Sequence, residues 1–125
     1  EAKRDGKPFS KEPLVRLKLA EMAIELEANY LLYYRLAYML DRGEPIDYPG
    51  SMQKIFFSEL SQRLANAAVQ ILGLYGGLKK DSKWAPLAGM VEYFYRYTFI
   101  ETIYGGTSEV QRNIIALRGL GLSAH

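Results

Sequence analysis

Cysteine is absent from the chain, which excludes disulfides, thiolate metal sites and a cysteine nucleophile. Histidine is nearly absent. The single one, His125, is the last residue, which argues against a histidine metal centre or a Ser-His-Asp triad, and no metal is expected. Neither sign of charge dominates: the net charge is +2, too small to imply a nucleic-acid partner. No uninterrupted apolar run is long enough to span a bilayer, and the first residues do not resemble a secretory signal. A cytoplasmic protein without a membrane segment is the expectation. The chain begins at Glu1 rather than Met, so a fragment or a processed product is expected.

Strand-like alternation of useful length is also missing, and what fills its place is helical. With 49% apolar and 24% charged residues over 125 positions, one globular domain can bury roughly two-thirds of its unfolded surface. Residues 1–12 are polar and read as a loop. Pro13 suits a first helical turn. From Leu14 onward Leu17, Ala20, Ile24 and Leu31 recur at helical spacing, up to Leu40 and a stop at Gly43. Glu44–Gly50 reads as a turn-rich connection. A second helix is predicted from near Ser51 to Gly73, with Phe56, Leu60, Leu64, Ala67, Ala68 and Ile71 as its stripe. After a loop over 74–81, residues 86–100 carry Leu87, Met90, Val91, Phe94, Tyr95, Thr98 and Phe99 on one face. A fourth helix is predicted over 107–118, with Val110, Ile114 and Leu117 inward and Gly119 as its end. Four such helices make an all-α, antiparallel four-helix bundle. Trp84, in the loop before the third helix, is expected to close one end of it.

The densest chemistry precedes the fourth helix. Tyr104, Gly105 and Gly106 run straight into Thr107, Ser108 and Glu109. Two glycines permit close approach of the backbone to a partner. Thr107 or Ser108 can cap the helix, Ser108 with Gln111 fits the capping-box spacing, and Glu109 suits the first turn. An ordinary helix start and a ligand-approach loop both fit this pattern. Gln70 and Gly73 read as a polar residue and the C-cap at the end of the second helix. Seven of the ten tyrosines fall at Tyr30, Tyr33, Tyr34, Tyr38, Tyr93, Tyr95 and Tyr97; they read as a core with hydrogen-bonded edges or as a subunit interface, with a ligand pocket a lesser alternative.

Tyr104-Gly-Gly-Thr-Ser-Glu-Val-Gln-Arg-Asn-Ile-Ile-Ala116, followed by Leu120-Gly-Leu122, resembles the C-terminal signature of the acyl-CoA dehydrogenase family. Ala67-Ala-Val-Gln-Ile-Leu-Gly73 and Leu19-Ala-Glu-Met-Ala-Ile-Glu-Leu-Glu27 resemble two further segments of it, in the family's order. The resemblance implies the C-terminal helical domain of a larger flavoprotein, spanning residues 1–125. It implies FAD as cofactor, an acyl-CoA substrate dehydrogenated between the α and β carbons, an electron-transfer flavoprotein as partner, and a homo-oligomer (tetramer or dimer). It implies FAD contacts at Gln70, Gly73, Thr107, Ser108 and Glu109, and substrate contacts at Tyr104, Gly105 and Gly106.

The sequence departs from the family pattern in three places. Gly105 stands where many members carry the glutamate base; glycine cannot abstract a proton. Neither Glu101 nor Glu109 is a good replacement, so the base is expected outside these residues. Leu74 replaces a common glycine after Gln70-Ile-Leu-Gly73, which weakens the expectation of close backbone approach there. Ala2 and Asp5 stand where an arginine and a phenylalanine are usual; Lys3 and Arg4 either replace that arginine or form a solvated basic cluster, the reading the residues favour. The competing readings are a non-catalytic subunit of a hetero-oligomer, an oxidase relative, and a helical interaction scaffold without flavin chemistry.

Overall fold

The computed structural model describes residues 3, 4 and 6–123. The positions of Ala2, Asp5 and His125 and the side chains of Lys3 and Arg4 lie outside the described residues. A two-residue antiparallel ladder, β1 (Lys3–Arg4) with β2 (Lys7–Pro8), and a 3-10 turn at Phe9–Lys11 occupy the stretch expected to be loop. Pairing that short has no alternation to announce it. Four α-helices follow: α1 (Pro13–Asp41), α2 (Asp47–Leu72), α3 (Met90–Glu101) and α4 (Ser108–Ile114), the last continuing as a π turn over Ile115–Gly119. The all-helical expectation holds.

The helices are arranged around α2, against which α1, α3 and α4 each pack. Cross-contacts fix the directions. Glu25 meets Arg63 and Asn29 meets Gln53, so α1 and α2 run antiparallel. Gln62 reaches the Thr98 carbonyl on α3, and Arg112 of α4 reaches Glu59. The core centres on Leu60, which is 1% exposed, with Ala65, Ala67, Ser58, Ser61 and Thr98 also buried. The stripe predicted for α2 is buried or half-buried throughout.

Elsewhere the inward faces differ from expectation. On α1, Leu17, Ala20, Ile24 and Leu31 are exposed, Ile24 at 71%. The face against α2 instead carries Val15, Met22 and Asn29, seven residues apart, with Leu32, Leu36 and Met39 half-buried. That is a coiled-coil-like seam. Because α1 is apolar almost all round, periodicity could not choose the packed side. All four of its tyrosines, and Tyr93 and Tyr97 on α3, also stand at the surface, so they are not core residues.

Helix boundaries moved for local reasons. α2 starts at Asp47, because Pro49 sits in the first turn, where its missing N–H has no helical partner to lose. The predicted third helix is cut short: Leu87 and Ala88 have φ of 49° and 52°, and Gly89 follows at 77°. Such backbone costs roughly 1–2 kcal/mol per non-glycine residue. Gly89 lies so close to Lys80 that an added Cβ would meet its backbone nitrogen at 2.4 Å. Leu87 and Met90 consequently stand exposed rather than inward. Of the three residues expected inward, Ile114 of α4 is half-buried, whereas Val110 of α4 and Leu117 of the π turn are exposed; Ser108 and Gln111 are buried in α4. Trp84 is 67% exposed with Lys83 over its ring, so it does not close the bundle.

Candidate functional site

The glycine pair forms a loop held by side chains from two helices. Gly105 and Gly106 have φ of 65° and 92°, values that favour glycine. The Gln111 side-chain amide donates to the Gly105 carbonyl at 2.7 Å, and Lys54 Nζ of α2 donates to the Gly106 carbonyl at 2.8 Å. Thr107 is the N-cap, its hydroxyl accepting from the Val110 N–H at 3.4 Å. The capping-box reading of Ser108 with Gln111 is therefore corrected. Thr107 takes the cap, Gln111 turns back to the glycine loop, and Ser108 Oγ is buried with no hydrogen-bond partner among the described residues.

Thr107, Ser108 and Glu109 line one wall of a cleft of about 400 Å³, completed by Glu59, Gln62, Thr102, Ile103 and Arg112. Arg112 pairs with Glu59, and Gln62 bridges to Thr98 and Thr102. The cleft thus combines an unpaired buried hydroxyl, an amide and an ion pair on helical supports. Lys54, Glu59, Gln62 and Arg112 were not singled out from the sequence, and Gln111 was read only as part of a capping box. Each is a polar residue inside an amphipathic run, and only the packing gives it an inward direction.

Electrostatics tie the loop to α2. Burial lowers the Lys54 ammonium pKa, opposed by the negative charges of Glu109 and Glu59. Glu109 is held below its ordinary value by its own backbone N–H and the Thr107 hydroxyl, with Arg112 and Lys54 adding to this. Desolvation and the Glu101 carboxylate raise the Tyr104 hydroxyl pKa. Glu101 is 6% exposed and its Oε2 has no partner among the described residues. It does not line the cleft.

These contacts make a direct prediction for Thr107→Ala. Loss of the cap costs about 1 kcal/mol. The same change frees Glu109 from one of the bonds that lower its pKa. A depressed carboxylate stabilises the fold above its unfolded pKa and loses that contribution as pH falls through the folded value. The gap between wild type and Thr107→Ala should therefore narrow below about pH 4.5, the ordinary value for Glu109. Denaturant midpoints measured at pH 7 and at pH 3.5 test this; a constant gap would mean that Glu109 does not depend on the Thr107 hydroxyl.

Gln70 and Gly73 lie apart from this site. Gln70 is exposed, and Gly73 ends α2 with φ 59°, as the cap expectation required. From Lys54 to Gln70, α2 rises about 24 Å, so the two sets of candidate cofactor contacts sit far apart along one helix. Leu74 is exposed, and at Gly76 the chain packs on its own α2, an added Cβ lying 2.9 Å from the Val69 carbonyl oxygen. Among the described residues no group of His, Cys, Asp or Glu could hold a metal ion, and no helix is long and apolar enough to cross a membrane.

The described residues form an all-helical bundle with a glycine loop beside a polar cleft. Residues 1–120 match the sequence model of the acyl-CoA dehydrogenase C-terminal domain, and the chain belongs to that family. It is 40% identical over 114 residues to a 3-(aryl)acrylate reductase of Clostridium sporogenes (strain ATCC 15579), covering 91% of this chain and 28% of that protein. It is 36% identical over 111 residues to the mitochondrial short-chain specific acyl-CoA dehydrogenase of Rattus norvegicus, covering 89% and 25%. A chain of the ChsE4–ChsE5 complex from Mycobacterium tuberculosis superposes with a TM-score of 0.89 at 31% identity, covering 100% of this chain and 32% of that one. The chain therefore spans about a quarter of the length of the curated relatives it matches.

Proposed function

We propose that residues 1–125 are the C-terminal helical domain of an FAD-dependent acyl-CoA dehydrogenase, catalytically silent alone and contributing cofactor contacts and oligomer interface to the full protein. The observation that carries this reading is the buried, unpaired Ser108 hydroxyl on the wall of the cleft that Thr107 and Glu109 also line. It stands within the run that resembles the family signature. Thr107, Ser108 and Glu109 would hold the flavin edge, and Tyr104, Gly105 and Gly106 would face the acyl-CoA thioester. A flavin held there would supply the hydride-accepting chemistry of an α,β-dehydrogenation. The residues of this chain bind, orient and exclude water. Gly105 supplies no base, although open space lies above its Cα, with nothing within 4 Å of an added Cβ. The α-proton therefore goes to a carboxylate outside these residues.

Gln70 and Gly73, at the far end of α2, would meet the adenine side of a second FAD in a neighbouring subunit. The exposed apolar side of α1, with Leu17, Ile24, Leu31 and Tyr34, supports a homo-oligomer, dimer or tetramer. An electron-transfer flavoprotein would take the electrons, and a cytoplasmic location is the reading kept. The second reading, a subunit of a hetero-oligomer that has lost catalysis, is favoured specifically by Gly105. The likeness to a chain from a complex of two differently named proteins agrees with it.

The test is an anaerobic visible spectrum of the purified full-length protein, before and after acyl-CoAs of several lengths. Bleaching of a bound flavin by one chain length is the expected result and names the substrate class. Bound flavin that no acyl-CoA bleaches would favour the non-catalytic subunit, and no flavin at all would leave a helical scaffold.

A further inference from the structure

We propose that Lys54 and Gln111 are positioning residues that set the orientation of the Gly105–Thr107 peptides, and so aim their N–H groups at whatever the loop binds. The inference rests on the flavin-and-thioester reading of that loop. Neither residue belongs to the glycine run, and they come from different helices, α2 and α4. Each nevertheless takes one of two consecutive carbonyls, Gln111 that of Gly105 at 2.7 Å and Lys54 that of Gly106 at 2.8 Å.

In a trans peptide the N–H points opposite to the C=O. Gripping the Gly105 carbonyl therefore fixes the Gly106 N–H, and gripping the Gly106 carbonyl fixes the Thr107 N–H. Neither of these donors, nor the Gly105 N–H, has a hydrogen-bond partner among the described residues. Two consecutive glycines would otherwise leave these peptides free to rotate, because positive φ is open to glycine in several arrangements. Lys54 acts from a half-buried position, where a charge-assisted bond is stronger than one formed in water. Gly106 completes the device: an added Cβ there would lie 2.4 Å from Gln111 Nε2. Its missing side chain is the space Gln111 uses.

The experiment compares Lys54→Met, Lys54→Arg and Gln111→Leu with wild type in the full-length protein. It reads flavin affinity, the split between kcat and KM for an acyl-CoA, the unfolding midpoint, and hydrogen exchange of the 103–110 segment. Lys54→Met and Gln111→Leu should each lower kcat/KM or flavin affinity about tenfold, the scale of one such hydrogen bond. Exchange should rise in 103–110 and not along α1. Lys54→Arg, which keeps a donor, should recover most of the loss. Unchanged kinetics, flavin affinity and exchange in both deletion variants would overturn the proposal. So would a loss in Lys54→Arg as large as in Lys54→Met with the same fall in unfolding midpoint, which would make Lys54 a packing residue. Absence of flavin from wild type would defeat the functional reading separately. The exchange comparison would then decide the positioning role by itself, a local rise supporting it and an unchanged pattern refuting it.

Discussion

Leu60→Ala should destabilise the full-length protein by about 2–5 kcal/mol, the largest loss expected from any single truncation in this chain. Leu60 is the largest side chain buried beyond 2% exposure and sits midway along α2, the helix that all others pack against. The transfer loss alone is about 2 kcal/mol for a side chain of this size. The remainder depends on how far the surroundings close over the cavity. They have little to close with: among the described residues the next-largest fully buried side chains, Thr98 and Ser58, are short and hydrogen-bonded to backbone carbonyls at Tyr95 and Ile55, and Ala65 is smaller still. The measurement is the denaturant midpoint with the slope checked for constancy. A loss under about 1 kcal/mol would mean that the helices slide together to refill the space, as only a loosely specified core allows.

How much of this was legible beforehand depends on how many faces each helix had to satisfy. α2 has a clear stripe at Phe56, Leu60, Leu64, Ala67 and Ile71, and that stripe is the one the fold uses. α1 has apolar residues on every side, so Leu17 and Ile24 were as good a face as Val15 and Met22 until α2 was placed against it. The side of α1 away from α2 leaves Leu17, Ile24 and Leu31 exposed, so apolar spacing alone does not mark the packed face. Pro49 and the Leu87–Gly89 turn show a different limit. Apolar spacing continued through Leu87, but the backbone there follows the approach of Gly89 to Lys80, a contact between segments that periodicity cannot express.

The candidate site was legible as a run of residues and not as a geometry. Thr107, Ser108 and Glu109 do share a cleft wall, and Gly105 and Gly106 do adopt positive φ. The roles of Lys54 and Gln111, which bond the carbonyls of that run, were not legible. Lys54 lies far away in sequence, and Gln111 was read as half of a capping box. Gln70 and Gly73 carried a clear resemblance, yet the long rise of α2 separates them from the loop. Motifs close in meaning were placed far apart in space.

Gly106→Ala should be the most damaging change within the loop, costing about 2–4 kcal/mol of its ordered state and, on the proposed flavin reading, much of the flavin affinity. Two effects combine. At φ 92° an alanine is strained whatever the space, and its Cβ would fall 2.4 Å from Gln111 Nε2. The end of a glutamine can swing away, so the overlap itself is cheap; what is lost is its bond to the Gly105 carbonyl. The two contributions can be separated. On a Gln111→Ala background the alanine has room, and only the strain should remain, so the penalty should fall by about 1 kcal/mol. Gly105→Ala supplies the comparison, with φ 65° and nothing within 4 Å of the new Cβ, and should cost about 1–2 kcal/mol of strain alone. Flavin retention and unfolding midpoints of the three single variants and the Gly106–Gln111 double variant, all in the full-length protein, complete the cycle. Equal penalties for Gly106→Ala with and without Gln111 would show that this side chain does not hold the loop.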